Sequence, residues 1–137
     1  MNGLAKALPS ANMGYVKSFR ELDAYKLAGQ LSSEIFQLSR EFPREEKYSL
    51  TDQIRRSARS IGAQIAEAWG KRRYEKSFVS KLCDADGELQ ETEHWIETAA
   101  DCSYISQETA NELIHQYNTI GKMLNGMIAK SSYFCSQ

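Results

Sequence analysis

Two Glu-x-x-His motifs, Glu91 with His94 and Glu112 with His115, are the strongest invitation to chemistry in this chain. On a helix that spacing puts both side chains on one side. Two such motifs, with one more carboxylate from each of two other helices, are how a four-helix bundle holds a pair of iron or manganese ions. Glu34 and Glu67 would be the remaining carboxylates. Orientation argues against the site. At 100° per residue, Glu91 and His94 fall about 200° and 140° from Leu89, the centre of their apolar stripe, and Glu112 and His115 fall about 220° and 160° from Tyr117. Ligands on outer faces cannot converge on one buried dinuclear centre, so no metal is expected. Nucleophilic chemistry has no better support. Cys83, Cys102 and Cys135 are odd in number and lack CxxC spacing, as free thiols in a reducing compartment would be. A G-x-S-x-G elbow and a glycine-rich phosphate loop are both missing. Acid–base work by paired carboxylates needs a cleft, which a small bundle seldom has. The expectation is a protein with no catalytic residues, no cofactor and no enzymatic activity.

The remaining candidate is a cationic surface. Arg55, Arg56 and Arg59 lie on one segment, and Lys71-Arg72-Arg73-Tyr74 follow at its end beside Trp69. Guanidinium forks suit phosphates and aromatic faces suit unpaired bases, so these seven residues are a candidate nucleic-acid surface, for RNA or DNA. The bland alternative is a solvated or intersubunit patch. Charge is segregated along the chain. Residues 47–73 carry seven basic and two acidic side chains, whereas residues 84–101 carry seven acids and no Lys or Arg. Two readings fit this segregation: neighbouring helices complement one another within the bundle, or the acids of one subunit meet the basic edge of the next. The net charge of −1 excludes a bulk electrostatic grip on nucleic acid.

Helices must position these groups. Ala24, Ala28, Leu31, Ile35, Leu38 and Phe42 step in fours and threes over a first helix at about 20–41, ended by Pro43. A second helix starts near Ser49, with Ser49 as cap and Asp52 three residues on, and buries Ile54, Ala58, Ile61, Ile65 and Ala68. A third, about 74–101, buries Phe78, Leu82, Ala85, Leu89, Thr92, Ile96 and Ala99. The fourth runs from a Ser106 cap to about Lys130, with Ala110, Leu113, Tyr117, Ile120, Leu124 and Met127 inside. No segment alternates as a strand does. The second and third connections are short, which makes neighbours antiparallel: an all-α, up-down-up-down four-helix bundle over 19–131. Residues 1–18 read as a flexible tail and 132–137 as a short C-terminal one. No apolar run spans a bilayer and no signal peptide is evident, so the protein is expected in the cytoplasm, away from membranes.

The second helix also carries a stripe of small residues, Ala58, Gly62, Ala66 and Gly70. Glycine inside a helix costs about 1 kcal/mol relative to alanine, so the stripe suggests a closely approaching backbone. Trp95, about 240° from Leu89, is expected to be exposed and to join that subunit contact or to be shielded at the bundle's rim. Trp69 borders the core and is expected to pack. Glu67 is expected to pair with Lys71 four residues on, or with Gln64 to line a central channel.

The segments FRELDAYKLAGQL and FPREEKYSLTDQIRRSARSIGAQIAEAW, followed by F-x-x-x-L from Phe78, resemble the four-helix-bundle proteins encoded in intervening sequences of bacterial 23S ribosomal RNA genes. The similarity runs from about Phe19 to Ala129 and is most specific over Phe42 to Arg56. The chain resembles a divergent branch: Gln64-Ile65-Ala66-Glu67-Ala68 stands where the family has Asn-Ile-Ala-Glu-Gly, and the glycine comes two residues later, at Gly70. The resemblance implies a ring-shaped homopentamer, which would repeat a modest basic patch five times around one opening. It also implies a role beside RNA, or as a scaffold or accessory subunit of a protein partner such as a reverse transcriptase, with no nucleic-acid affinity of its own.

Overall fold

The computed structural model describes residues 16–136, and the first fifteen residues of the expected N-terminal tail lie outside them. Among the described residues there is no strand. Ser18 caps a 3-10 turn at Phe19–Glu21, its hydroxyl accepting from the Arg20 amide at 3.2 Å. Helix α1 spans Asp23–Ser39, α2 Asp52–Gly70, α3 Glu75–Asp101, α4 Gln107–Ala129 and α5 Ser131–Cys135. Each of the four long helices packs on its neighbours in sequence, and α1 also closes against α4.

Cross-helix partners establish the antiparallel pairing. Arg56 and Ser57 of α2 meet Glu91 and Thr92 of α3, while Glu67, further along α2, meets Lys81, further back on α3. The core is the expected set of stripes. Leu31, Ile61, Ile65, Phe78, Leu82, Ile96, Tyr117, Ile120 and Leu124 are fully buried, as the 3.6-residue period requires. No described helix is long and apolar enough to cross a membrane.

Boundaries differ in three places. Helix α1 ends at Ser39, two residues before the expected limit; Phe42 lies beyond it and rests against Tyr104 with ring centroids 5.6 Å apart. Ser49 is not a cap. A 3-10 turn at Arg44–Glu46 begins directly after Pro43 and runs through a π turn at Lys47–Thr51 into α2, which leaves Ser49 inside helical backbone. Proline tolerates the position before a helical run because its missing N–H is not needed there. The bundle does not stop at residue 131. Helix α5 folds back, and Phe134, 3% exposed, inserts beside Phe78 and Trp69 with centroids 5.9 and 6.5 Å away. Residues 132–135, expected as tail, are part of the packed structure.

Ser106 caps α4 as expected, accepting from the Thr109 amide at 3.0 Å. The preceding turn closes α3 with Ser103 in the left-handed region, φ 63°. There the Tyr104 amide donates to the Ala99 carbonyl and the Ser103 amide to the Ala100 carbonyl, both at 2.9 Å, the pairing of a Schellman motif. Tyr104 then donates its hydroxyl to Glu46 at 2.7 Å, tying this turn to the 3-10 turn that leads into α2 and pushing the phenol up to about 12.

Candidate nucleic-acid interface

The basic residues of α2 and of the turn that follows it separate into three environments. Arg56 turns toward α3, with Nη2 2.7 Å from Glu91 Oε2 and Nη1 3.3 Å from Glu88 Oε1. Glu91 also accepts from the Trp95 indole at 3.0 Å. The hydrogen bond from Arg56, then that from Trp95, holds the Glu91 carboxyl below its ordinary range, and the guanidinium of Arg56 is raised in return. Arg56 is therefore neutralised within the chain.

Arg55 and Arg59 turn the other way, toward α1. Their guanidinium carbons lie 4.6 and 5.7 Å from the centroid of the Phe36 ring, and Arg55 Nε donates to Ser39 Oγ at 2.7 Å. Neither makes an ion pair among the described residues. The turn after α2 forms a third environment, roughly 25 Å along the helix from Arg55 at 1.5 Å per residue. Arg72 lies over Trp69 at 3.7 Å and donates Nε to the Trp69 carbonyl at 3.0 Å. Lys71 and Arg73 are exposed, and Tyr74 is 65% exposed. Trp69 packs as expected, 9% exposed and sealed by Phe134. Six of the seven residues thus form two open cationic patches, at opposite ends of α2, and Arg56 belongs to neither.

The small-residue stripe also divides. Ala58 is 1% exposed in the core and presents nothing to a second subunit, so that part of the expected interface is corrected. Gly62 and Ala66 are half-buried and line a shallow groove between α1 and α2 with Gly29, Ser32 and Ala63. A Cβ on Gly62 would meet Tyr25 Cε1 at 3.6 Å, ordinary contact, and one on Gly70 would meet nothing within 4 Å. The close neighbour of Gly62 is an aromatic ring of α1, and nothing among the described residues requires glycine at either position. Trp95 is half-buried against the core rather than exposed, because Glu91 draws its indole N–H toward the α2–α3 seam.

Glu91 is committed to Arg56 and Trp95, while His94, Glu112 and His115 are exposed. Among the described residues no three His, Cys, Asp or Glu side chains converge as metal ligands would. Glu67 pairs with Lys81 at 3.5 Å rather than with Lys71, because Lys81 of α3 faces it across the seam and also reaches Asp84 at 3.7 Å.

This arrangement sits on a family scaffold. The model of the 23S rRNA-intervening sequence proteins matches residues 20–126, from just before α1 to near the end of α4. The chain belongs to that family. Among solved structures, it is similar to a protein of unknown function from the S23 ribosomal protein family of Bacteroides thetaiotaomicron. Identity is 30%, over 77% of this chain and 97% of that one, with a TM-score of 0.69. No curated protein matches the sequence. Helix α5 lies beyond the stretch matched by the 23S rRNA-intervening sequence model, yet its Phe134 supports the Trp69–Arg72 patch. Phe36, Ser39 and Lys81, absent from the candidates read from sequence, are what orient Arg55, Arg59 and Glu67. The signal for Phe36 was available: it lies beside Ile35 at the edge of the α1 core stripe, where a large aromatic is only half covered.

Proposed function

We propose that the protein is a non-enzymatic, oligomeric member of its family that binds nucleic acid, RNA in preference, through the basic surface of α2. One observation carries this reading. Arg55, Arg59, Lys71, Arg72 and Arg73 have no carboxylate partner among the described residues, although the adjacent Arg56 has two. Arg55, Arg59 and Arg72 are held over aromatic rings instead, which fixes a guanidinium without neutralising it. A homopentameric ring would repeat these patches and give avidity at a net charge near zero. A second reading, a protein scaffold or accessory subunit without RNA affinity, is favoured by the α1–α2 groove, where no contact among the described residues requires Gly29 or Gly62 to be glycine.

Solution mass by light scattering, with and without a structured RNA at low and moderate salt, separates the two. A multimer that gains mass with RNA and loses it as salt rises supports nucleic-acid binding, since displaced counterions make phosphate binding strongly salt-dependent. A multimer indifferent to RNA at every salt concentration refutes it and favours the scaffold.

A further inference from the structure

Three arginines, not two, surround Phe36. Arg40, the residue that caps the C-terminus of α1, places its guanidinium carbon 5.9 Å from the ring centroid, alongside Arg55 at 4.6 Å and Arg59 at 5.7 Å. Arg40 lies outside the basic run of α2: it reaches the ring from four residues further along α1, and the packing of α2 on α1 brings Arg55 and Arg59 to the same ring. Among the described residues none of the three makes an ion pair. Asp52 lines the same shallow recess as Arg55 and Arg59 but stays beyond ion-pair distance. The anchor is neutral: Ser39, 2% exposed, accepts from Arg55 Nε and donates to the Phe36 carbonyl at 3.1 Å. Three like charges gathered on one ring and supported by a buried hydroxyl lack only an anion.

We infer that Arg40, Arg55 and Arg59, arrayed on Phe36, form a phosphate subsite that takes the phosphodiester backbone of the nucleic acid. The inference rests on the nucleic-acid reading above and adds Arg40 and Phe36 to it. Guanidinium forks bind phosphate oxygens bidentately, and a ring beneath them limits the side-chain freedom lost on binding. Arg40 makes the subsite a property of the α1–α2 seam, separate from the Arg72 patch at the other end of α2.

The test uses the full chain, a fluorescein-labelled oligouridylate, anisotropy across a salt series and solution mass for every variant. Arg40→Gln should weaken binding about tenfold at low salt and lower the slope of log K against log salt by about 0.7, the single-strand value for one lost phosphate contact. Phe36→Leu should weaken binding several-fold while keeping the slope, because the cations remain and their platform is gone. If Phe36→Leu does not fold, Arg40→Gln, an exposed substitution, still decides. Wild-type binding that Arg40→Gln leaves unchanged in affinity and slope overturns the subsite and leaves the nucleic-acid reading standing. A fall in solution mass for Arg40→Gln without RNA also overturns it, since the arginines would then hold a neighbouring copy's acids. If wild type binds no oligouridylate, the nucleic-acid reading fails. Inorganic phosphate then decides the subsite through the arginine Nε–H resonances: shifts confined to Arg40, Arg55 and Arg59 retain it, and none discards it.

Discussion

Arg55 and Arg56 are adjacent, yet replacing each with glutamine should produce opposite phenotypes. Arg56 bridges α2 to two carboxylates of α3, and its side chain is 48% exposed against 22% and 35% for Glu88 and Glu91. Partly screened pairs of this kind contribute about 0.2–1 kcal/mol each. Arg56→Gln should therefore cost about 1 kcal/mol, a fall of about 3–4 °C in melting temperature for a domain of this size. The pH profile should change with it. Glu91 is held below its ordinary value, so its contribution is present above the unfolded carboxylate value of 4.5 and is lost as pH falls through the folded one. Removing Arg56 should flatten that acid limb. RNA affinity should stay within about twofold, with the salt slope unchanged, because this guanidinium is already occupied. The Arg55→Gln/Arg59→Gln pair should do the reverse, lowering the slope by about 1.4 for single-stranded RNA and leaving the acid limb intact. Urea denaturation between pH 3 and 7 and RNA anisotropy across salt read both arms. An Arg56→Gln protein of wild-type stability whose salt slope falls as far as that of Arg55→Gln would refute the division of α2 into a structural and a binding face.

Three further outcomes concern the scaffold. Tyr117 is fully buried and its hydroxyl has no hydrogen-bond partner among the described residues, so Tyr117→Phe should stabilise by about 1 kcal/mol in thermal melts. Burial, with Glu34 nearby, also pushes the Tyr117 phenol upward, so part of the stability lost above pH 10 should disappear in the variant. Ser103 holds a left-handed conformation in the α3–α4 turn, and Ser103→Gly should gain about 0.5–1 kcal/mol, read as a higher urea midpoint at unchanged m-value. Glu93 has a shielded carboxylate oxygen with no hydrogen-bond partner among the described residues, and burial, then Glu97 and Asp86, push its carboxyl upward. A raised acid makes the fold lose stability as pH climbs from 4.5 through the folded value, so Glu93→Gln should be more stable than wild type at pH 7 and show no such decline.

The helices and their buried faces were legible because each core stripe repeats over many turns, from Phe78 to Ala99 on α3 and from Ala110 to Met127 on α4. Single-residue signals fared worse where a neighbour in space overrode a neighbour in sequence. Ser49 has the chemistry of a cap, but Pro43 starts the helical run before it. Glu67 has Lys71 at the ideal spacing, but Lys81 across the seam. Trp95 lies at an outward angle on a helical wheel, yet its indole bonds Glu91 one turn back, the carboxylate that Arg56 of α2 holds at the seam. The cationic surface was legible as composition and not as geometry. Which arginine is neutralised depends on whether it faces the acids of α3 or the apolar edge of α1, a choice that shifts between Arg55 and Arg56 with one residue's rotation, about 100°. Arg40 and Phe134 contribute from segments that carry no helical period in common with α2.

The same division sets a thermodynamic constraint on any assembly. If a neighbouring copy's acids neutralise Arg55 and Arg59 in a ring, RNA and the ring compete for the same donors, and RNA must lower the affinity between copies by the factor by which assembly lowers RNA affinity. If the copies instead meet along the α1–α2 groove through Gly62 and Ala66, the arginines stay available, and RNA adds its mass to an intact multimer. Gly62→Leu separates these cases. A Cβ there is in ordinary contact with Tyr25, so a single chain can accept a larger side chain by moving one ring, whereas a partner packed into the groove cannot. A folded Gly62→Leu monomer that still binds RNA, more weakly by the avidity lost, would place assembly in the groove and binding on the arginines. A variant of unchanged mass would remove the groove from assembly and leave the ion-pairing surfaces to account for it.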